Sequence, residues 1–241
     1  MKPSFPETKP FSCCRSWNFC RSDFQQILPR LLTEPLESFE GELIWSTTYK
    51  KSFRISGEKF SSPGDFVIKY YREKRFFRYL FRPSMALREY RGFALAEAAG
   101  IPVAEILALG EKRHFLHLKE AFFVTKYLED THSGDEFLAA DCDTELQDKY
   151  IRINMEYLAK FHDAGLIHGG FNPRNELWRI NADGEMEVIW IDLATCRRKT
   201  PREKRTQESD LYTFFKHFKF PAAREQSFRD YYSSLRKKTE F

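Results

Sequence analysis

Hydrophobic and polar positions alternate in two different rhythms along this chain. From Gly41 the segments GELIWSTTY, SFRIS and DFVIKYY are rich in β-branched and aromatic residues, the composition of strands. GEKFSSPG separates the second from the third, with Gly57, Pro63 and Gly64 as turn signals. Residues 41–71 are therefore expected to form a three-stranded antiparallel meander. The rhythm becomes helical over Ser84–Ala99, where Leu87, Phe93, Leu95 and Ala98 mix with charges before Gly100-Ile101-Pro102 stops the run. VAEILALG and AFFVTKYL read as two more strands. A second amphipathic helix is predicted over Tyr150–Ala164, from Ile151, Ile153, Met155, Leu158 and Phe161, with Gly165 just past its end. The loop LIHGGFNPRN follows, then a hairpin of LWRI and EVIWIDL turned by Asp183-Gly184. Residues 203–241 read as two helical pieces interrupted at Pro221.

This order predicts an α+β protein of two lobes. Residues 1–35 read as an N-terminal extension, with three prolines by position 10 and then the short apolar run FQQILPRLLTEPL. Residues 36–128 form a sheet-rich small lobe and residues 129–241 a mainly helical large lobe. Ligands favour clefts between such units.

Composition narrows the class. At 241 residues, 42% hydrophobic and 16% aromatic, the chain can bury a real core and is too aromatic to be mainly disordered. No stretch approaches the roughly 20 apolar residues that span a bilayer, and the first residues lack the apolar core of a secretory signal. An intracellular protein is expected. Five cysteines, three of them at Cys13, Cys14 and Cys20, lack the paired C-x-x-C knuckles of a zinc site and read as reduced thiols. The net charge of +4 says less than where the charge sits.

Four groups then fall in a suggestive order. Lys69 ends an apolar strand, Glu89 lies on the following helix, Asn175 closes the loop after the long helix, and Asp192 ends the hairpin. Phosphoryl transfer from ATP needs such groups: a lysine on the phosphates, a glutamate to fix it, and an amide oxygen and a carboxylate to hold Mg²⁺. Each alone is an ordinary residue; the order and the hairpin between Asn175 and Asp192 carry the reading.

These residues stand in FVIKYY, ALREYRGFALAEAAGIPVAEILALG, FFVTKYL, LAKFHDAGLIHGGFNPRN and IWIDLATCRR, which together resemble the lipopolysaccharide core kinases (Kdo/heptose, WaaP-type) over about 41–215. That family is a branch of the protein-kinase-like fold without the long activation segment, and only 49 residues follow Asp192 here. The resemblance implies a bilobal fold with an antiparallel-sheet small lobe and a mainly helical large lobe. It implies ATP and Mg²⁺ as cofactors, Lys69 on the ATP phosphates and Glu89 paired with it. Asn175 and Asp192 would be the metal ligands, and Lys126, Tyr127, Leu128 and Glu129 a hinge whose backbone meets adenine. His168 would be structural, and Asp210 in ESDLYTFFKHF would brace the catalytic loop.

Two departures stand out. The family's loop reads His-x-Asp, with that Asp taking the acceptor's proton; here the position is Gly170. Asp163 is close in sequence as a weak substitute, and Asn172 is no base at neutral pH. The turn STTYKKSFRI also lacks the glycines of a phosphate loop; Lys50 and Lys51 could still approach a phosphate, though exposed turn lysines are the commoner reading. The chain is thus expected to be a sugar kinase phosphorylating a Kdo or heptose hydroxyl on a glycolipid. The alternative is a pseudokinase of the same fold, a nucleotide-binding or scaffold protein without turnover.

One further segment carries partner chemistry. KYYREKRFFRYLFR (69–82) holds six Lys/Arg, one Glu and six aromatics in fourteen residues. It reads either as a solvated basic face or as a contact with an acidic glycolipid (lipid A-core) or anionic membrane surface on the cytoplasmic side. No named motif supports nucleic acid.

Overall fold

In a computed structural model, the structure describes residues 19–237 except 22, 23, 26, 35, 61, 63, 73–78, 80, 81, 115, 116, 140 and 201–206. Most of the basic aromatic segment, including Lys74, Arg75 and Arg78, lies outside the described residues, as do Cys13 and Cys14. No disulfide is formed among the described cysteines Cys20, Cys142 and Cys196. The chain divides into two compact units, Met1–Tyr90 with Ala104–Leu128, and Arg91–Val103 with Glu129–Phe241.

The first unit is built on a six-stranded antiparallel sheet. Its strands are β1 (Phe19–Cys20), β2 (Glu42–Ser46), β3 (Lys50–Ile55), β4 (Phe66–Arg72), β5 (Ile106–His114) and β6 (His117–Lys126), in the order β1-β5-β6-β4-β3-β2. The expected meander is β2, β3 and β4, each paired with the next. Its first turn is closed by Thr47, whose Oγ1 accepts from the Lys50 amide at 3.2 Å, so no glycine is required there. The Lys50 ammonium lies 5.3 Å from the Trp45 ring.

Residues before 36 do more than extend the chain. Helix α1 (Ile27–Thr33) lays Ile27 and Leu31, with Phe24 before it, against Phe66 and Ile68 of β4 and Phe122 and Val124 of β6. Phe24 meets Phe66 edge to face at 5.0 Å. The spacing Phe24, Ile27, Leu31 is one helical stripe, and Pro29 falls in the first turn, where its missing N–H costs no hydrogen bond. Side chains alternate across β4, so Phe66 and Ile68 face α1 while Lys69 and Tyr71 take the opposite side.

Helix α2 (Met85–Ala98) starts on Ser84, whose Oγ accepts from the Leu87 amide at 3.0 Å. It ends on Gly100 at φ 74°, with the Ile101 amide reaching back to the Ala96 carbonyl at 3.0 Å, a Schellman closure.

The second unit holds α3 (Thr144–Asp163), α4 (Gln207–Phe215) and α5 (Ala222–Lys237). Helix α3 begins six residues before the expected start at Tyr150, because Asp143 caps it by accepting from the Glu145 and Leu146 amides. Before it comes β7 (His132–Ser133), and after it β8 (Leu166–Ile167), β9 (Glu176–Ile180), β10 (Met186–Trp190) and β11 (Arg197–Arg198). The hairpin β9–β10 is joined by β7 in one small sheet, and β8 pairs with β11 in another. These two-residue strands leave no pattern in the sequence. α4 and α5 flank Pro221 as expected.

Gly92 of α2 packs against the backbone that follows β10. A Cβ there would lie far inside contact distance of the Leu193 carbonyl oxygen and carbon, and backbone cannot swing aside as a side-chain tip can. Gly92→Ala is therefore expected to destabilise the fold by about 1–3 kcal/mol despite its better helix propensity. Urea unfolding checks this, since a gain in stability would contradict the close approach.

Candidate active site

Lys69 and Glu89 form a buried ion pair, and the Tyr71 hydroxyl donates to the other carboxylate oxygen of Glu89. The Glu89 side chain is fully buried and that of Lys69 is 11% exposed. The period of two along β4 puts Lys69 and Tyr71 on one face, so both oxygens of Glu89 are satisfied by one strand. Removing one member of such a pair costs about 3–5 kcal/mol, because the other charge is left buried. In the sequence, Tyr71 carries no signal beyond its place two residues from Lys69.

The hinge expected at Lys126–Glu129 is partly committed within the first unit. The Lys126 amide donates to the Glu105 carbonyl and the Tyr127 amide to the Asp65 carbonyl, both at 2.9 Å. Arg54 stacks 4.0 Å over the Tyr127 ring and pairs with Asp65 at 2.8 Å. Leu128 closes the first unit and Glu129 opens the next stretch of the second.

The loop of the second unit is organised from below by Asp210 of α4. Its two carboxylate oxygens accept the backbone amides of His168 and Gly169, each at 2.8 Å. His162 Nε2 lies 3.2 Å from the same carboxylate, and its Nδ1 lies 2.6 Å from the Tyr232 hydroxyl of α5. These hydrogen bonds hold the Asp210 carboxyl below the usual range against the burial that opposes them. Gly169 sits at φ 74°, a conformation that its lack of a Cβ permits. Asp210 thus takes the bracing place that the resemblance implied.

His168 is fully buried among Phe161, Phe171 and Trp190, with ring centroids 6.4, 5.2 and 5.2 Å away. Neither ring nitrogen has a hydrogen-bond partner among the described residues, and burial pushes its pKa down to about 4. It is a neutral packing residue.

Asn175 and Asp192 are drawn together by the hairpin between them. Trp190 pairs with Glu176 in the β9–β10 ladder, and the Ile191 amide donates to the Asn175 carbonyl at 2.8 Å. Asn175 Nδ2 donates to the Gly170 carbonyl at 3.2 Å, which leaves its amide oxygen turned elsewhere as a hard donor. Asp192 is held at φ 59°, rare for a residue with a side chain and frequent at functional sites. An oxygen from each is the kind of hard donor that could hold a divalent cation.

At Gly170 an added Cβ would meet one neighbour, Thr195 Oγ1 at 3.1 Å. Asp163, the substitute base considered from sequence, is engaged instead in an ion pair with Arg236 of α5 at 2.5 Å.

Beneath the loop, Glu176 is fully buried, and the Tyr150 hydroxyl donates to one of its oxygens. Burial pushes its pKa from 4.5 up to about 8. Nothing in the local sequence marked it, since a Glu opening a strand reads as solvated.

The fold is α+β and protein-kinase-like. The family model for the lipopolysaccharide kinase (Kdo/WaaP) family matches residues 64–234, and the chain belongs to this family. A solved structure of WaaP in complex with acyl carrier protein is similar, with 17% sequence identity and a TM-score of 0.65 over 91% of this chain and 90% of that one. No curated protein sequence matches.

Glu176 makes stability depend on pH with a defined sign. Its folded pKa is raised to about 8 from 4.5, so the folded state binds the extra proton between those values. The stability it contributes is complete below about 4.5 and is lost as pH rises through about 8. Glu176→Gln removes the proton, and its melting temperature is expected to gain on the parent steadily from pH 5 to 8. A difference independent of pH would contradict the buried, protonated acid.

Proposed function

We propose that this chain transfers the γ-phosphate of ATP to a sugar hydroxyl, Kdo or heptose, on an acidic glycolipid precursor of the lipid A-core type. The observation that carries this is the buried Lys69–Glu89 pair with Tyr71, since a lysine held this way presents a fixed positive charge for ATP phosphates. Family membership supports the kinase reading, and Asn175 and Asp192 supply oxygens for a divalent ion, taken here as Mg²⁺. Bound Mg²⁺ would neutralise charge on the phosphates of the nucleotide. The chain's own residues bind and orient: Lys69 the phosphates, Glu89 the lysine, and the backbone at Lys126–Glu129 the adenine. Phosphoryl transfer is loose and leans on positioning and charge, so a missing Asp at position 170 does not abolish it.

The acceptor's lipid would bring the protein to the cytoplasmic membrane surface as a peripheral enzyme. No helix among the described residues is long and apolar enough to cross a membrane. A second reading, a pseudokinase that binds nucleotide without turnover, is favoured by Gly170 alone.

Melting in the presence of ATP and Mg²⁺ tests the nucleotide site. The parent is expected to gain stability by the mass-action amount, about 2.7 kcal/mol at a hundredfold excess over Kd. Lys69→Ala and Asp192→Ala are expected to lose most of that gain. No gain in the parent would remove the ATP reading. Phosphate transfer that arises only in Gly170→Asp would make the natural chain a pseudokinase.

A further inference from the structure

We propose, on the phosphotransferase reading, that His217 is the base the loop itself lacks, accepting the proton of the acceptor hydroxyl beside Asn172. Arg174 and Lys216 would make that acceptor site fit for an anionic, hydroxyl-bearing molecule. The first support is the geometry of one amide. Asn172 caps the short turn Pro173–Asn175, its Oδ1 accepting from the Arg174 amide at 3.0 Å. That fixes the orientation of the side chain, so Nδ2 is the atom 3.0 Å from His217 Nε2. An amide NH₂ only donates, so Nε2 must accept, and the proton of the neutral ring is on Nδ1. His217 therefore turns an unprotonated nitrogen toward the loop, at a residue two positions after Gly170.

The neighbouring candidates are otherwise committed. Asp163 pairs with Arg236, while Glu176, His162 and His168 are buried. His217 is half-buried, in the turn after α4. Burial lowers its pKa from the ordinary 6.5, and the two charged groups that act on it, Lys216 on its own turn and Arg174 from the loop, lower it further. It is thus a free base at neutral pH, and its protonated form sheds a proton readily. Arg174 itself is mostly exposed, with Asp135 at 3.8 Å, and Lys216 is exposed. Two cations beside a proton acceptor suit an acceptor carrying phosphate or carboxylate groups.

The step balances as follows. The acceptor hydroxyl takes the place of the Asn172 amide at Nε2, and its O–H bond breaks as the proton moves to that nitrogen. The oxygen forms a bond to the γ-phosphorus, the bond from that phosphorus to the β-phosphate oxygen breaks, and ADP leaves. The imidazolium returns its proton to water.

The test uses the full chain, radiolabelled ATP with Mg²⁺, and purified Kdo-lipid A in mixed micelles, across pH 5 to 8. The parent is expected to turn over with kcat rising through a limb below pH 6.5. His217→Gln is expected to lower kcat about 10²–10⁴-fold and flatten that limb. Its melting shift with ATP and Mg²⁺ should equal the parent's, which shows that it folds and binds nucleotide. Gly170→Asp in the His217→Gln background should restore turnover, because position 170 has no left-handed φ and only the Thr195 hydroxyl to displace. Full activity in His217→Gln overturns the proposal, as does a parent that binds ATP without turnover. A parent that shows no melting shift with ATP fails earlier, at the nucleotide site, and the two failures are told apart by that shift.

Discussion

The loop of the second unit hangs on one carboxylate. Asp210 accepts two consecutive backbone amides, from His168 and Gly169, and is itself backed by His162. Hydrogen bonds from neutral amides to an ionised carboxylate are shorter and stronger than neutral ones, and their strength grows when water is excluded. Because the amides belong to the backbone, the restraint acts on the path of the chain rather than on any side chain. It fixes where Gly170, Asn172 and Asn175 point. The neutral His168 ring and its aromatic neighbours fill the space above without adding charge.

The first unit solves a different problem with the same economy of position. A strand buried on both faces must place an ammonium beside a fully buried carboxylate, and β4 does this by alternation. Phe66 and Ile68 pack on α1, while Lys69 and Tyr71 face Glu89. The segment before residue 36 is thus part of what makes the lysine's position rigid, since it covers the back of the strand that carries it.

Glycine at position 170, where the resemblance implies an acid, also reads differently once the surroundings are known. A missing side chain there leaves room bordered by Thr195 and an amide, Asn175, tied to the same residue's carbonyl. The loop keeps its shape because that shape is set by Asp210 and by the Asn172 cap, neither of which involves the absent carboxylate.

Much of this was legible in the residues. Strand and helix rhythms located the meander, both long helices and the hairpin, because burial on one face forces period two or period 3.6 on the sequence. The order Lys69, Glu89, Asn175, Asp192 marked candidate residues, of which Lys69 pairs with Glu89 in the first unit and Asn175 lies beside the turn of Asp192 in the second. What stayed hidden depends on contacts between distant segments. The role of α1 was masked by prolines and polar neighbours. Tyr71, Glu176 and His162 look ordinary in isolation, since only burial turns a hydroxyl, an acid or an imidazole into a partner of the site. Gly92 reads as a weak point in a helix until the Leu193 carbonyl is seen against it. The sequence by itself determined which candidate groups the chain carries and in what order. Tertiary structure alone decided which groups are charged, which are locked and which nitrogen keeps its lone pair, because those properties follow from desolvation and from the partner across the gap.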